Sequence, residues 1–285
     1  MNFKKHKSFN LKIKKIIESI FVWNYKTKHK WIGIEFSDFR EYDFWDNFSN
    51  IDFLKSQTEW KTLIRLYDEE RELNTYFIID ISSNLLNDPI KKNVLLEILD
   101  FLGYIILNNW NKLGAFIYSN NKNEFILSKK WFKNYSQIIS NLNKANNIKW
   151  FWLYLKNNLS IINNWLKYFN TLKIKKSMIF YFSDSIDLDF RELKITSLQN
   201  ELIVFNIISS FEEKLEWSWV IWLSNWINKS KFIDLNNKKI KNAYKNNIKN
   251  ILINNKKKIT SYWSKYIYFT ESKNIYKEIF NLFKK

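Results

Sequence analysis

The 285-residue chain contains no cysteine, one proline, three glycines and two histidines, His6 and His29. Without cysteine there are no disulfides, no thiolate zinc sites and no cysteine nucleophiles. Two imidazoles are too few for a histidine metal cluster or for most imidazole-based hydrolysis. Three glycines provide no phosphate-cradling loop. No stretch reaches the ~18 uncharged apolar residues of a membrane-crossing helix. The basic segment Met1–Lys15 leads into a short apolar run, Ile16–Trp23, broken by Glu18 and lacking a small-residue cleavage site, so no signal peptide is expected.

Positive charge is plentiful: 46 Lys and Arg against 28 Asp and Glu give a formal net charge of +18. Such an excess suggests an anionic partner. However, Lys, Asn, Ile, Phe and Tyr, whose codons are rich in A and T, crowd the chain, so a base-composition bias accounts for much of the lysine. Tryptophan runs against that bias, since its codon carries two guanines, yet it occurs 14 times. Ordinary glycine usage of ~7% predicts about 20 glycines. The glycines and tryptophans together approach that figure, which suggests that many of the written tryptophans are glycines in the living organism, a stop-like codon having been read with the wrong meaning.

Hydrophobic periodicity divides the chain into three parts. Residues 1–30 hold an amphipathic helix, Asn10–Val22, and a lead-in. Residues 31–72 alternate charged and aromatic residues without a sustained helical period and read as a small β-rich layer. From residue 73 to 285 strands alternate with helices. Strands are expected at Tyr76–Ile81, Leu113–Tyr118, Glu124–Leu127, Ser177–Phe182, Glu201–Ile208, Trp219–Leu223 and Lys265–Phe269. Helices are expected at Ile90–Leu107, Trp131–Leu142, Leu153–Phe169, Asp187–Leu198, Asn237–Asn255 and Lys273–Phe283. A hairpin and basic-helix insertion is expected near 211–258. This alternation predicts an α/β fold, a doubly wound and mostly parallel sheet with helices on both faces.

In such sheets the ligand crevice lies beyond the carboxyl ends of the strands, where strand order reverses. Asp80 ends the first core strand and opens the run Asp80-Ile81-Ser82-Ser83-Asn84, which puts a carboxylate, a hydroxyl and an amide at alternate positions of one loop. Asp184 ends a later buried strand. An oxygen-only cluster of this kind suits Mg²⁺. The competing reading is that Asp80 caps a turn and Ser183-Asp184 caps a helix start. The acidic run Asp68–Glu72 reads as a solvated turn. Lys229–Lys258 holds ten lysines and one aspartate, with Ile240, Tyr244, Ile248, Ile251 and Leu252 as an apolar stripe, and reads as a core-packed helix with a wet basic back. Ser82 and Ser83 have no identifiable base nearby, so nucleophilic catalysis is unsupported.

The segment Asn24–Leu73, with Glu35, Arg40, Glu41 and Tyr42 in one block, Asp46 to Asp52 in a turn, and Glu70-Arg71 leading into the strand that ends at Asp80, resembles the bacterial domain of unknown function 58 family. Weaker likeness extends through Trp110–Tyr118, Ile179–Asp184 and the C-terminus. The resemblance implies a von Willebrand factor A-like fold and a metal-ion-dependent adhesion site of the form Asp-x-Ser-x-Ser, with a later threonine and aspartate. Asp80, Ser82 and Asp184 match. Asn84 stands where a second serine is usual and Phe151 where the threonine falls, so the implied site should bind Mg²⁺ weakly or not at all. The family's association with MoxR-type AAA+ ATPases implies a non-enzymatic adaptor, cytoplasmic or at the membrane periphery. The alternative is a nucleic-acid binder using the lysine-rich helix 237–258. Several tryptophans, Trp31, Trp45 and Trp60, occupy places where the resembled family has glycine, and are expected in turns.

Overall fold

The structure is a computed structural model that describes residues 32–68, 73–81, 85–108, 111–118, 123–146, 162–185, 188–214, 220–225, 229–234, 237–271 and 273–284. The chain divides into two compact units, Lys15–Glu72 and a unit carrying Leu73–Lys285.

In the smaller unit, β1 (Ile32–Glu41) pairs antiparallel with β2 (Leu63–Asp68), and α1 (Phe53–Glu59) lies between them in sequence. Seven residues are too few for the 3.6-residue period to be legible, which is why the sequence reads as β-rich throughout. Local hydrogen bonds define this helix instead. The Asp52 carboxylate accepts from the Lys55 amide at its N-terminus, and the Ser56 hydroxyl donates to the Asp52 carbonyl and accepts from the Leu63 amide. The helix ends at Trp60, whose φ of 53° and ψ of 29° are left-handed.

Among the described residues the main sheet of the larger unit has six strands: β3 (Asn74–Asp80), β4 (Lys112–Tyr118), β5 (Asn123–Lys129), β6 (Met178–Ser183), β7 (Glu201–Ile207) and, last in the chain, β10 (Lys265–Phe269). They lie in the order β10-β7-β6-β3-β4-β5, parallel except for β5, which runs antiparallel to β4. An antiparallel hairpin, β8 (Val220–Asn225) with β9 (Lys229–Asp234), forms a separate two-stranded sheet. The expected strand near 219–223 is β8. Its partner β9 carries two lysines and reads in the sequence as part of the basic stretch.

The central strands are short runs of aromatic and β-branched residues, buried on both sides, as parallel strands require. On one face Phe77, Phe180, Phe182, Phe205 and Phe269 pack ring against ring, Phe180 and Phe205 parallel and the other pairs edge-on or tilted. On the other, Ile78, Phe116, Tyr181 and Val204 pack with Leu166 and Phe169 of α4 (Ile162–Thr171), Leu193 of α5 (Phe190–Gln199) and Ile259 of α7 (Lys238–Ser261). Each such side chain contributes roughly 1.5–3 kcal/mol relative to exposure. The remaining helices are α2 (Pro89–Asn108), α3 (Phe132–Asn146), α6 (Ser210–Lys214) and α8 (Ile275–Lys284). α2 packs against β4 and β7, burying Val94, Leu95, Ile98, Leu99 and Leu102. α7 runs six residues past the expected end. The expected helix Asn10–Val22 lies outside the described residues, as does the first part of Leu153–Phe169. Among the described residues no helix is long and apolar enough to cross a membrane.

Candidate functional site at the carboxyl ends of the parallel strands

From β3 the chain moves through β4 to β5 at one edge, then returns to β6 and proceeds through β7 to β10 at the other. Strand order therefore reverses between β3 and β6, and the crevice of a doubly wound sheet opens there. Asp80 is the last residue of β3, Asp184 follows β6, and the two strands are adjacent and parallel. The two acids stand where the sequence reading places them. Both are buried.

The surroundings of each acid are specific. Asp80 Oδ2 accepts a hydrogen bond from the Ser183 hydroxyl at 3.2 Å. Tyr118 and Tyr181, whose hydroxyls are 3.0 Å apart, are fully buried beside it. Burial first, and the Asp80 charge second, raise both phenols well above their ordinary range, so they stay protonated and serve as hydrogen-bond groups. Asp184 Oδ2 lies 3.1 Å from the ammonium of Lys91, in the first turn of α2. The same ammonium lies 2.7 Å from Oε1 of Glu212 in α6. The Lys91 side chain is only 3% exposed.

Burial pushes the Asp184 carboxyl up to about 6, against the attraction of Lys91, while the charges of Asp80 and Glu212 push the same way as burial. Burial alone would lower the Lys91 pKa, but the two carboxylates outweigh it and the net direction is upward. Both partners are therefore charged at neutral pH. A carboxyl whose folded pKa lies above its unfolded value of 3.8 binds its proton more readily in the folded state, so its contribution favours folding at low pH and is lost as pH rises from about 4 through about 6. Urea unfolding of wild type and Asp184→Asn at pH 4.5 and 7 checks this. Wild type should lose stability relative to the variant over that interval, whereas a parallel pair of profiles would contradict the assignment.

The other sequence-singled residues are distributed as follows. Ser82, Asn84, Glu70, Arg71 and Phe151 lie outside the described residues, as does Trp31. Glu35 belongs to β1. Arg40 bridges to Asp46 at 2.6 Å, Glu41 to Lys61, and Asp52 to Arg65 at 2.7 Å, while the Tyr42 amide donates to the Thr62 carbonyl. These signature residues brace the small unit. The Lys55 amide and then Arg65 hold the Asp52 carboxyl below its usual range. Asp189, not Ser183-Asp184, caps α5, so the capping alternative does not account for Asp184.

Lys91 and Glu212 are the site residues that sequence reasoning misses. A signal for Lys91 exists. It precedes Val94, Leu95 and Ile98 by three, four and seven residues, so it falls on the apolar face of its helix. Ser209 and Glu212 also have capping-box spacing, and the box is formed. The Glu212 amide donates to the Ser209 hydroxyl, and the Ser209 amide to the Glu212 carboxylate.

The family model described as "Protein of unknown function DUF58" matches residues 38–251, most of the chain. The chain belongs to this family. No curated protein matches it. Among solved structures it is similar to the conserved hypothetical protein BatB from Bacteroides thetaiotaomicron, at 11% identity over 74% of this chain and 97% of that one, with a TM-score of 0.41. It is also similar to a von Willebrand factor type A protein from Catenulispora acidiphila, at 8% identity over 51% of this chain and 35% of that one, with a TM-score of 0.31. This family member has a doubly wound, mostly parallel α/β sheet, together with a small antiparallel N-terminal sheet.

Proposed function

We propose that the protein is a non-catalytic, cytoplasmic interaction module that docks a partner protein on the crest formed by the carboxyl ends of its parallel strands, the partner being a MoxR-type AAA+ ATPase. The observation that carries this reading is that the buried ionisable groups at the switch point, Asp80, Lys91 and Asp184, are already engaged by side chains of the protein itself. Lys91 joins Asp184 and Glu212, and Asp80 accepts from Ser183. Groups so engaged suit a shaped surface better than proton transfer, which needs a base within reach of a substrate. The choice of ATPase follows from the family resemblance.

The test is direct binding of a MoxR-type ATPase from the same genome. Saturable binding is expected, weakened about tenfold or more by Ile90→Glu, which charges an exposed apolar residue of the crest without touching its ion pairs. Unchanged binding in that variant would remove the crest from the interface. The rival reading has one observation in its favour: Lys238, Lys239, Lys245, Lys249, Lys256 and Lys257 of α7 are exposed. The helix also buries Ile248, Leu252 and Ile259, as a core-packed helix would. Oligonucleotide binding that falls steeply with salt would favour the rival.

We further infer that several written tryptophans are glycine in the native protein. Trp45, Trp60, Trp131 and Trp263 are 74–94% exposed, and Trp60 and Trp263 have φ of 53° and 60°. Tryptophan is ordinarily well buried, and the left-handed region belongs to glycine. Trp45 and Trp60 lie in turns, as expected from the sequence. TGA at these positions of the coding DNA supports the inference, and TGG overturns it.

A further inference from the structure

We propose that the Lys91 ammonium is a built-in cation that takes the place of a divalent metal at this crest and ties together the segments that follow three adjacent parallel strands. The resemblance of the sequence to von Willebrand factor A-like domains implies a metal held by the loop after the first core strand and an aspartate of a later loop. The described residues do not fit one. Octahedral Mg²⁺ needs oxygens at ~2.1 Å and approaches with its waters. The Asp184 carboxylate already accepts from Lys91 at 3.1 Å, and Asp80 accepts from Ser183. A divalent ion beside a fixed ammonium is repelled by it in a site screened from water. Among the described residues no three Asp, Glu or His side chains form a cluster able to hold a metal.

The positions of the three partners make the ammonium a structural tie. Lys91 is in the helix after β3, Asp184 follows β6, and Glu212 lies in α6 after β7. In the sheet these strands are neighbours in the order β7-β6-β3. One ammonium therefore spans the switch point, contacting carboxylates that its own chain brings from 93 and 121 residues away. Each group is also held by neighbours other than its ion-pair partner. Lys91 shares a helical face with buried Val94 and Leu95, Asp184 is enclosed by the sheet end, and Glu212 is oriented by its capping box with Ser209. An ammonium supplies donors in several directions from one point charge, which is the part a metal would otherwise play. Enclosed as it is, it offers no open position for a partner's carboxylate. Docking on this crest would then use shape and loop side chains, not metal coordination.

The experiment compares full-length wild type, Lys91→Ala and Glu212→Gln by thermal melting in chelator and in millimolar Mg²⁺, with Mn²⁺ binding followed by electron paramagnetic resonance. Wild type should melt within about 1 °C in the two media and bind no stoichiometric Mn²⁺, because stabilisation requires a ligand well above its dissociation constant. Lys91→Ala should melt lower in chelator, gain one Mn²⁺ site and recover part of its melting temperature in Mg²⁺, since Asp184 and Glu212 are left without their counter-charge. Should that variant fail to fold, Glu212→Gln removes one arm of the tie and should lower the melting temperature with no response to Mg²⁺. A wild-type rise of more than about 5 °C in Mg²⁺, or stoichiometric Mn²⁺ on wild type, overturns the proposal. So does a Glu212→Gln melt equal to wild type.

Discussion

Replacing Trp60 and Trp263 together by glycine is expected to raise the melting temperature by roughly 4–8 °C and to improve solubility. Both residues end a helix in left-handed geometry. Trp60 follows α1, with its amide donating to the Ser56 carbonyl, and Trp263 follows α7, with its amide donating to Thr260. A side chain with a Cβ in this region costs about 1–2 kcal/mol, and glycine in the position that closes a helix does not. Nothing is lost in exchange, because the indoles are 93% and 94% exposed and bury almost no apolar surface. Two helix ends relieved of about 1 kcal/mol each give the expected rise at ~2–4 °C per kcal/mol for a chain of this size. A differential scanning fluorimetry comparison decides it, and a lower melting temperature in the double variant would show that the indoles have contacts of value.

Adding a Cβ at Gly114 is expected to be costly. Gly114 of β4 faces the side chain of Tyr76 in β3, and a Cβ added there would lie 2.6 Å from the Ile126 carbonyl oxygen, 2.7 Å from the Tyr76 ring and 2.8 Å from the Ser128 amide nitrogen. Two of these neighbours are backbone and cannot rotate away. The register between β4 and β5 shifts at this point, which brings the Tyr76 hydroxyl to 3.0 Å from Ser128 and stacks its ring on Phe125. Gly114→Ala must therefore either displace β5 or push Tyr76 out, at about 3 kcal/mol, the upper part of the overpacking range. The corresponding loss of roughly 6–12 °C should be plain in a melt, and a variant as stable as wild type would mean that β5 does not pair in this register.

The sheet and its switch point were legible in the sequence because buried parallel strands are written as short aromatic and β-branched runs, and because Asp80 and Asp184 close two of those runs. Strand order was less legible, since right-handed and short connections prune the possible orders without selecting one. The ion-pair tie was not legible in the same way. Lysine on an amphipathic helix is ordinarily read as solvent-facing, and the meaning of Lys91 depends on Glu212, 121 residues away, which no local pattern links to it. The small elements were missed for a related reason. α1 and α6 are too short for periodicity and are specified by capping side chains, Asp52 and the Ser209–Glu212 box. The strand β9 was hidden by Lys229 and Lys231, which precede its apolar pair, Phe232 and Ile233.

Whether a lysine or a metal holds this crest is asked most directly by anomalous diffraction from crystals of the full chain grown in about 10 mM Mn²⁺, a concentration that would fill any site of ordinary affinity. The expected map has no anomalous peak between Asp80 and Asp184, and shows the Lys91 ammonium within hydrogen-bonding distance of Asp184 and Glu212. An anomalous peak coordinated by Asp80 and Asp184, with Lys91 turned out of the crevice, would contradict it.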